Sequence, residues 1–251
     1  EYKPDATSSN NTEGNLSFTI KIKDDLGGTT SQVLNLIRYP INEVATATQG
    51  QSAETTINST TKVTSTLILK DADDDNENTS DNYALVDSQS KNGKTIVMKA
   101  NGEWEYTPTG EQGYDYFLAK RTDKRGFETV QAINLYLGET AAATDLISGN
   151  MSGTAKYIST SPANITGSLR TEGVDGTFEI IDEDDKTGGN QSRNGAAVAI
   201  TTTGDWTYTP ATDFKNGNDF FLVKFTQDIV GTETIQAVNI FISPVDTPTL
   251  I

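Results

Sequence analysis

The sequence predicts an all-β chain built from tandem β-sandwich repeats in an elongated array, and three observations lead there. First, ordered blocks recur along the 251 residues: GEWEYTP at Gly102 to Pro108 returns as GDWTYTP at Gly204 to Pro210. Phe117-Leu118-Ala119-Lys120 returns as Phe221-Leu222-Val223-Lys224, and ETVQAINLYL from Glu128 returns as ETIQAVNIFI from Glu233. The offsets are 102 for the tryptophans (Trp104 to Trp206) and 105 for the glutamines (Gln131 to Gln236). Self-similarity at a fixed period is the mark of a repeat architecture. Second, apolar residues alternate inside the blocks, as in Phe18, Ile20 and Ile22 against Thr19, Lys21 and Lys23, which is the period of a half-buried strand. Third, Gly and Thr are plentiful, Met is rare and long runs of helix formers are absent, a balance that favours strands and turns.

Taken in chain order, the first copy is only the back half of a repeat. Tyr2-Lys3-Pro4 stands for Tyr-Thr-Pro, Phe18 to Lys21 for Phe-Leu-Ala-Lys, and TSQVLNLI from Thr30 keeps Gln32 and Asn35 at the spacing of Gln131/Asn134 and Gln236/Asn239. The expected division is residues 1–43 as a C-terminal half repeat, then 44–142 and 143–251 as complete repeats. Small residues and prolines replace apolar alternation at these limits. Gly27-Gly28, Arg125-Gly126 and Val230-Gly231 each sit between two apolar runs and read as hairpin turns. Trp104 and Trp206 are expected to anchor cores rather than to form stacking platforms for a ligand. Each complete copy should carry about seven short strands in two sheets.

Composition bounds the function. The chain has 35 acidic and 19 basic residues, a net charge of −16, so phosphate backbones are repelled and nucleic-acid binding is not expected. Cys and His are both absent, which removes disulfides, Cys/His zinc sites and every triad or dyad built on those residues. Carboxylates alone can hydrolyse glycosides, but nothing in the pattern places two in one cleft, and no enzymatic activity is expected. No apolar run is long enough to span a bilayer, so no membrane insertion of this segment is expected.

The acidic loops are the candidate metal ligands. Asp71, Asp73, Asp74 and Asp75 crowd one loop, and Asp182, Asp184 and Asp185 another. Calcium takes six to eight oxygens, and such loops are able to point several carboxylates inward, although a solvated turn reads the same way. No glycine and closing glutamate stand where an EF-hand needs them. Asp25, Asp123 and Asp228 each precede a turn glycine by three residues. A shared role in metal binding and a shared role in capping the turn both account for that spacing. Lys21, Lys120 and Lys224 recur near Asn35, Asn134 and Asn239, the residue types of an isopeptide crosslink, but solvated lysines and satisfied strand amides are the simpler reading.

Asp71-Ala72-Asp73-Asp74, Tyr83-Ala84-Leu85-Val86, Gly93-Lys94, the GEWEYTP strand and Gly126 together resemble the cadherin-like or VCBS-type immunoglobulin-like repeats of large bacterial RTX-type adhesins. Gly167-Ser168-Leu169, Gly176 to Asp182 and Gly195 carry the resemblance into the last copy. It implies immunoglobulin-like sandwiches joined end to end in calcium-stiffened rods at the cell surface. The aspartate-rich hairpin of such repeats is full only at Asp24-Asp25-Leu26-Gly27-Gly28 and is reduced in the later copies.

The expectation is therefore an extracellular spacer in cell or biofilm adhesion whose partners are neighbouring repeats of the same or another copy of the chain. Two alternatives stand beside it. A glycan- or peptide-binding module would use aromatics such as Tyr114, Tyr116 or Phe214. A fibre subunit would complete the half repeat with strands from another chain.

Overall fold

The computed structural model describes residues 14–38, 51–55, 59–69, 82–123, 126–138, 147–149, 151–157, 163–171, 173–182, 190–214, 216–228 and 231–244. All regular structure among them is β-strand, and no helix there is long and apolar enough to cross a membrane. The chain divides into two compact units, Glu1–Glu43 and Val44–Ile251.

The first unit is an antiparallel hairpin of β1 (Gly14–Lys23) and β2 (Thr29–Arg38). Its turn closes where Gly27 N–H donates to Asp24 O at 3.1 Å, with Gly27 at a φ of 87°, a conformation that glycine adopts without steric cost. The hairpin is the one read from Gly27-Gly28.

The second unit holds two sandwiches. In the middle copy, β3 (Gln51–Thr55), β5 (Asn82–Leu85), β8 (Gly113–Thr122) and β9 (Glu128–Leu137) form one sheet in the order β3-β9-β8-β5. Facing it, β4 (Val63–Thr66), β6 (Ile96–Met98) and β7 (Glu103–Tyr106) pair as β4-β7-β6. The last copy repeats this plan. Its larger sheet runs β11 (Ser152–Tyr157), β17 (Glu233–Pro244), β16 (Gly217–Gln227), β13 (Gly176–Ile181). Its second sheet runs β10 (Ile147–Gly149), β12 (Ile165–Thr171), β15 (Asp205–Thr209), β14 (Ala197–Ile200). The extra strand arises where the chain leaves one sheet for the other at Gly149, whose φ is 104°. A Cβ there would lie 2.4 Å from Ser168 O.

The recurring Gly-x-Trp-x-Tyr motif now has a physical account. Trp104 and Tyr106 point into one core, Trp206 and Tyr208 into the other, and all four are buried. Each tryptophan meets a phenylalanine of the opposite sheet edge to face, Trp104 on Phe117 at 5.3 Å and Trp206 on Phe221 at 5.6 Å, the arrangement aromatic quadrupoles favour. The glycine before each is fixed by backbone approach: a Cβ on Gly102 or Gly204 would stand 2.4 Å from Leu67 O or Leu169 O, and both φ values are positive. The tryptophans are core anchors, as expected.

One feature departs from simple alternation. β8, β9, β16 and β17 are buried on both faces over most of their length. One face of each enters its own sandwich, and the other joins a second cluster made from both copies: Tyr116, Leu118, Val130 and Ala132 with Ile181, Phe220, Leu222, Ile235 and Ala237. The near-continuous apolar runs of these strands are what two-sided burial demands. The two complete sandwiches thus meet along their sheets, whereas the resemblance implies repeats joined end to end.

Candidate functional interface

The contact between the two complete copies is built by β9 and β17, which hold equivalent positions 105 residues apart. Among the described residues, β3 pairs with residues 133–137 of β9, and β11 with residues 239–244 of β17. Among the described residues, the first half of each strand thus has an edge that its own sheet leaves uncovered, and exposed edges recruit partners. Here each edge is closed by the other copy. Asn239 Oδ1 accepts from Val130 N–H at 2.7 Å and its Nδ2 donates to Val130 O at 2.9 Å. Asn134 does the same for Ile235, at 2.8 and 3.0 Å. A carboxamide thus stands in for the peptide group of a neighbouring strand. Between them Gln131 and Gln236 exchange hydrogen bonds, Nε2 to Oε1, at 3.2 and 3.3 Å, and each also donates to the next residue's carbonyl, Ala132 or Ala237.

The arrangement has near-twofold symmetry, with the Gln131–Gln236 pair at its centre. All four amides are buried, and the apolar cluster around them excludes competing water. The symmetry is broken at one end: Tyr136 shares a hydrogen bond with Thr234 at 2.8 Å, while the equivalent Phe241 packs on Phe127 with ring centroids 6.5 Å apart. Asn134→Ala strands the N–H and C=O of Ile235 in this setting. Leaving buried polar groups unmatched costs about 1–3 kcal/mol, and the loss should appear as a lower melting temperature for N134A and equally for N239A. An unchanged melt for either variant would contradict the bidentate geometry.

The aromatics considered for ligand binding belong elsewhere. Tyr116 is 4% exposed, Tyr114 donates its hydroxyl to Asn134 Oδ1, and Phe214 packs on the main core. Burial pushes the Tyr114 phenol well above its ordinary value, Tyr136 and Tyr116 adding to it. The lysine–asparagine pairing also separates. Lys120 lies across from Val130 while Asn134 lies across from Tyr116, four residues further along the ladder. Lys120 pairs with Glu128, and Lys224 with Glu179 at 2.8 Å and Glu233 at 3.3 Å.

Among the candidate metal ligands, Asp71, Asp73, Asp74, Asp75, Asp184 and Asp185 lie outside the described residues. The acidic runs are not equivalent in the fold. Residues 71–75 fall between β4 and β5, whereas 182–185 follow β13, the counterpart of β5. Asp123 Oδ1 accepts from Phe127 N–H at 2.8 Å, so it caps its own turn. Its counterpart in the first copy is Asp24, which accepts from Leu26 N–H at 3.0 Å and Gly28 N–H at 2.7 Å, rather than the exposed Asp25 that the spacing selected. The third hairpin closes one residue earlier still. Gln227 takes the bonds from Gly231 and to Thr232, and Asp228 N–H donates instead to Asp175 O at 3.0 Å. Among the described residues no three acidic side chains gather as a metal site would need.

A different pair of aspartates, not singled out by the sequence, is the most densely bonded. Asp115 is 0% exposed. It accepts from Ser90 Oγ at 2.6 Å, Asn92 N–H at 3.0 Å, Tyr116 N–H at 2.9 Å and, more weakly, Tyr106 OH at 3.3 Å. Asp219 repeats this with Ser192, Asn194 N–H, Phe220 N–H and Tyr208 OH. Each ties a Ser-x-Asn-Gly turn (residues 90–93 or 192–195) to the central sheet. The signal was there, in SKNG against SRNG and Asp-Tyr-Phe against Asp-Phe-Phe. Burial drives the Tyr106 and Tyr208 phenols well above their usual range, with the neighbouring carboxylates adding to it.

Glu111 beside this cluster gives a pH signature. Burial raises its pKa, but the Thr109 hydroxyl, backbone N–H groups and Tyr106 OH together outweigh that and hold it at about 2. A carboxyl with a folded pKa below its ordinary 4.5 contributes stability that is complete above pH 4.5 and is lost as pH falls toward 2. Glu111→Gln should therefore lower the melting temperature at pH 7 and leave it unchanged at pH 2. An equal effect at both pH values would contradict this.

No curated protein matches the chain by sequence. Among solved structures, it is similar to an endo-fucoidan hydrolase of glycoside hydrolase family 107 at 13% identity and a TM-score of 0.30, covering 92% of this chain and 34% of that one. It is similar to Drosophila N-cadherin EC1-3 at 15% identity and a TM-score of 0.33, covering 92% and 78%. For the human desmocollin-1 ectodomain the identity is 10%, the TM-score 0.31 and the coverage 93% and 48%. The chain thus spans about a third of the hydrolase's length. Residues 42–136, essentially the middle copy, match the family model of a bacterial Ig domain.

Proposed function

We propose that this chain is an extracellular structural and adhesive repeat segment of a large bacterial surface protein, acting as a spacer. One observation carries this reading: the two copies share the tryptophan anchor, the buried aspartate and the Gln/Asn contact between them. That is what a chain selected for reach and stiffness would look like. The bacterial Ig match over residues 42–136 supports it. Calcium stiffening belongs to the proposal only through the loops at 71–75 and 182–185, because Asp123 caps its own turn and no three described acidic side chains gather.

Pulling single molecules by their ends tests this. Two unfolding events are expected, each releasing about 30 nm, as roughly 95 residues at ~3.5 Å each would. Calcium at the acidic loops would raise the unfolding force and the melting temperature, and chelation would reverse both. Identical curves with calcium and chelator would remove the metal from the proposal. A single soft unfolding event, together with tight retention of a glycan on an array, would replace the spacer with a binding module.

A further inference from the structure

The amide contact between the complete copies is self-complementary, and its elements are present a third time in the first unit. Gln32 pairs with Ile20 across the β1–β2 ladder, as Gln131 pairs with Ala119 and Gln236 with Val223. Asn35 stands across from Ser17, the register position of Asn134 across from Tyr116 and Asn239 across from Phe220. Ser31, across from Lys21, takes the place of Val130 and Ile235, the residues whose backbone the partner amide closes. β2 lies at the edge of a two-stranded sheet among the described residues, and Gln32 is exposed.

From this we infer that β2 is a docking edge for a second copy of the chain, which offers its own β2 so that Gln32 meets Gln32 across a twofold axis. The inference deepens the repeat-segment function by naming the partner. Three points select a second copy over other occupants. The geometry in the second unit is isologous, so one strand of this kind recognises another. The equivalent strands of the complete copies are already occupied by each other. The chain's charge of −16 is not an obstacle locally, because the edge from Ser31 to Val33 carries no charge, and the residues across from it, Lys21, Ile20 and Thr19, include no acid. The contact is expected to be weak and reversible. Ser17, Thr19 and Ser31 stand where the complete copies have Tyr116, Leu118 and Val130, so the amides act with little apolar support.

The chain has no cysteine, which makes the test direct. Val33→Cys in the full chain, beside Gln32 on the same edge and 58% exposed, is compared with Leu26→Cys, a position 97% exposed at the hairpin tip, each treated with a short bis-maleimide. Dimer should form about tenfold faster for V33C than for L26C, as expected when docking raises the effective concentration. Excess cysteine-free chain should slow the first reaction and not the second. In sedimentation, Gln32→Glu should weaken self-association about tenfold by setting like charges face to face. Equal crosslinking rates, or a dimer insensitive to Q32E, would overturn the inference. If the two unfolding events persist in either case, the repeat-segment function stands; if they are absent, it fails on its own account.

Discussion

Asp115→Ala should be the most damaging substitution in the middle copy, lowering its stability by about 3–5 kcal/mol. The carboxylate is fully buried and satisfies two backbone N–H groups and two hydroxyls. Alanine fills none of that space and leaves all four donors facing one another, each costing up to about 1–3 kcal/mol when buried and unmatched. A domain of this size holds about 5–15 kcal/mol in total, so much of its margin disappears. At about 4–8 °C per kcal/mol, the calorimetric transition of the middle copy should fall by about 15–30 °C. Asp219→Ala should do the same to the last copy. Adding Ser90→Ala to D115A removes one stranded hydroxyl, so the double variant should lose less than the sum of the single effects. A D115A transition within a few degrees of the parent would show that water replaces the carboxylate without loss.

Trp206→Ala should cost the last copy a similar amount, about 3–5 kcal/mol, by a different route. The indole is 1% exposed, lies edge to face on Phe221, and is approached so closely by β11 that a Cβ on Gly153 would fall 3.0 Å from its Cη2 and 2.5 Å from Ile165 Cγ2. Close packing on every side leaves little freedom to collapse into the cavity, and poor collapse makes such losses large. The chain has only two tryptophans, so W206A leaves Trp104 as a private fluorescence reporter of the middle copy. Its transition should also move down, because the unfolding of the last copy removes Asn239 and Gln236 from the β9 edge. A Trp104 transition indifferent to W206A would mean that the contact between copies adds nothing to stability.

The repeat, the hairpins and the tryptophan anchors were legible in the sequence because each follows from local spacing. Gly102 and Gly204 mark the same close approach in the turn, and Trp104 and Trp206 follow two residues later in the strand it opens. What escaped depends on tertiary neighbours. Asp115 and Asp219 sit in apolar strands, and although the Ser-x-Asn-Gly segments repeat as well, only the fold brings the two together. Gln131 and Asn134 were visible as markers of the repeat, but their work depends on which sheet faces which. That choice also buried Tyr116, one of the aromatics set aside for a ligand. The turn aspartate was placed one residue late, at Asp25, because two aspartates precede two glycines there and only the hydrogen bonds to Asp24 decide between them.

The parallel pairing of the outermost strands has a mechanical consequence. In the middle copy β3 enters alongside β9, which leaves, with five residues matched from Gln51↔Ile133 to Thr55↔Leu137. In the last copy β11 and β17 match six, from Ser152↔Asn239 to Tyr157↔Pro244. Tension between the ends of a copy draws two parallel neighbours in opposite directions along their common axis. The bonds joining them are then loaded in shear and must rupture together, whereas a hairpin pulled open at its tip yields one bond at a time. Each sandwich therefore carries its own clamp, and the load it withstands is set by the length of that short parallel seam.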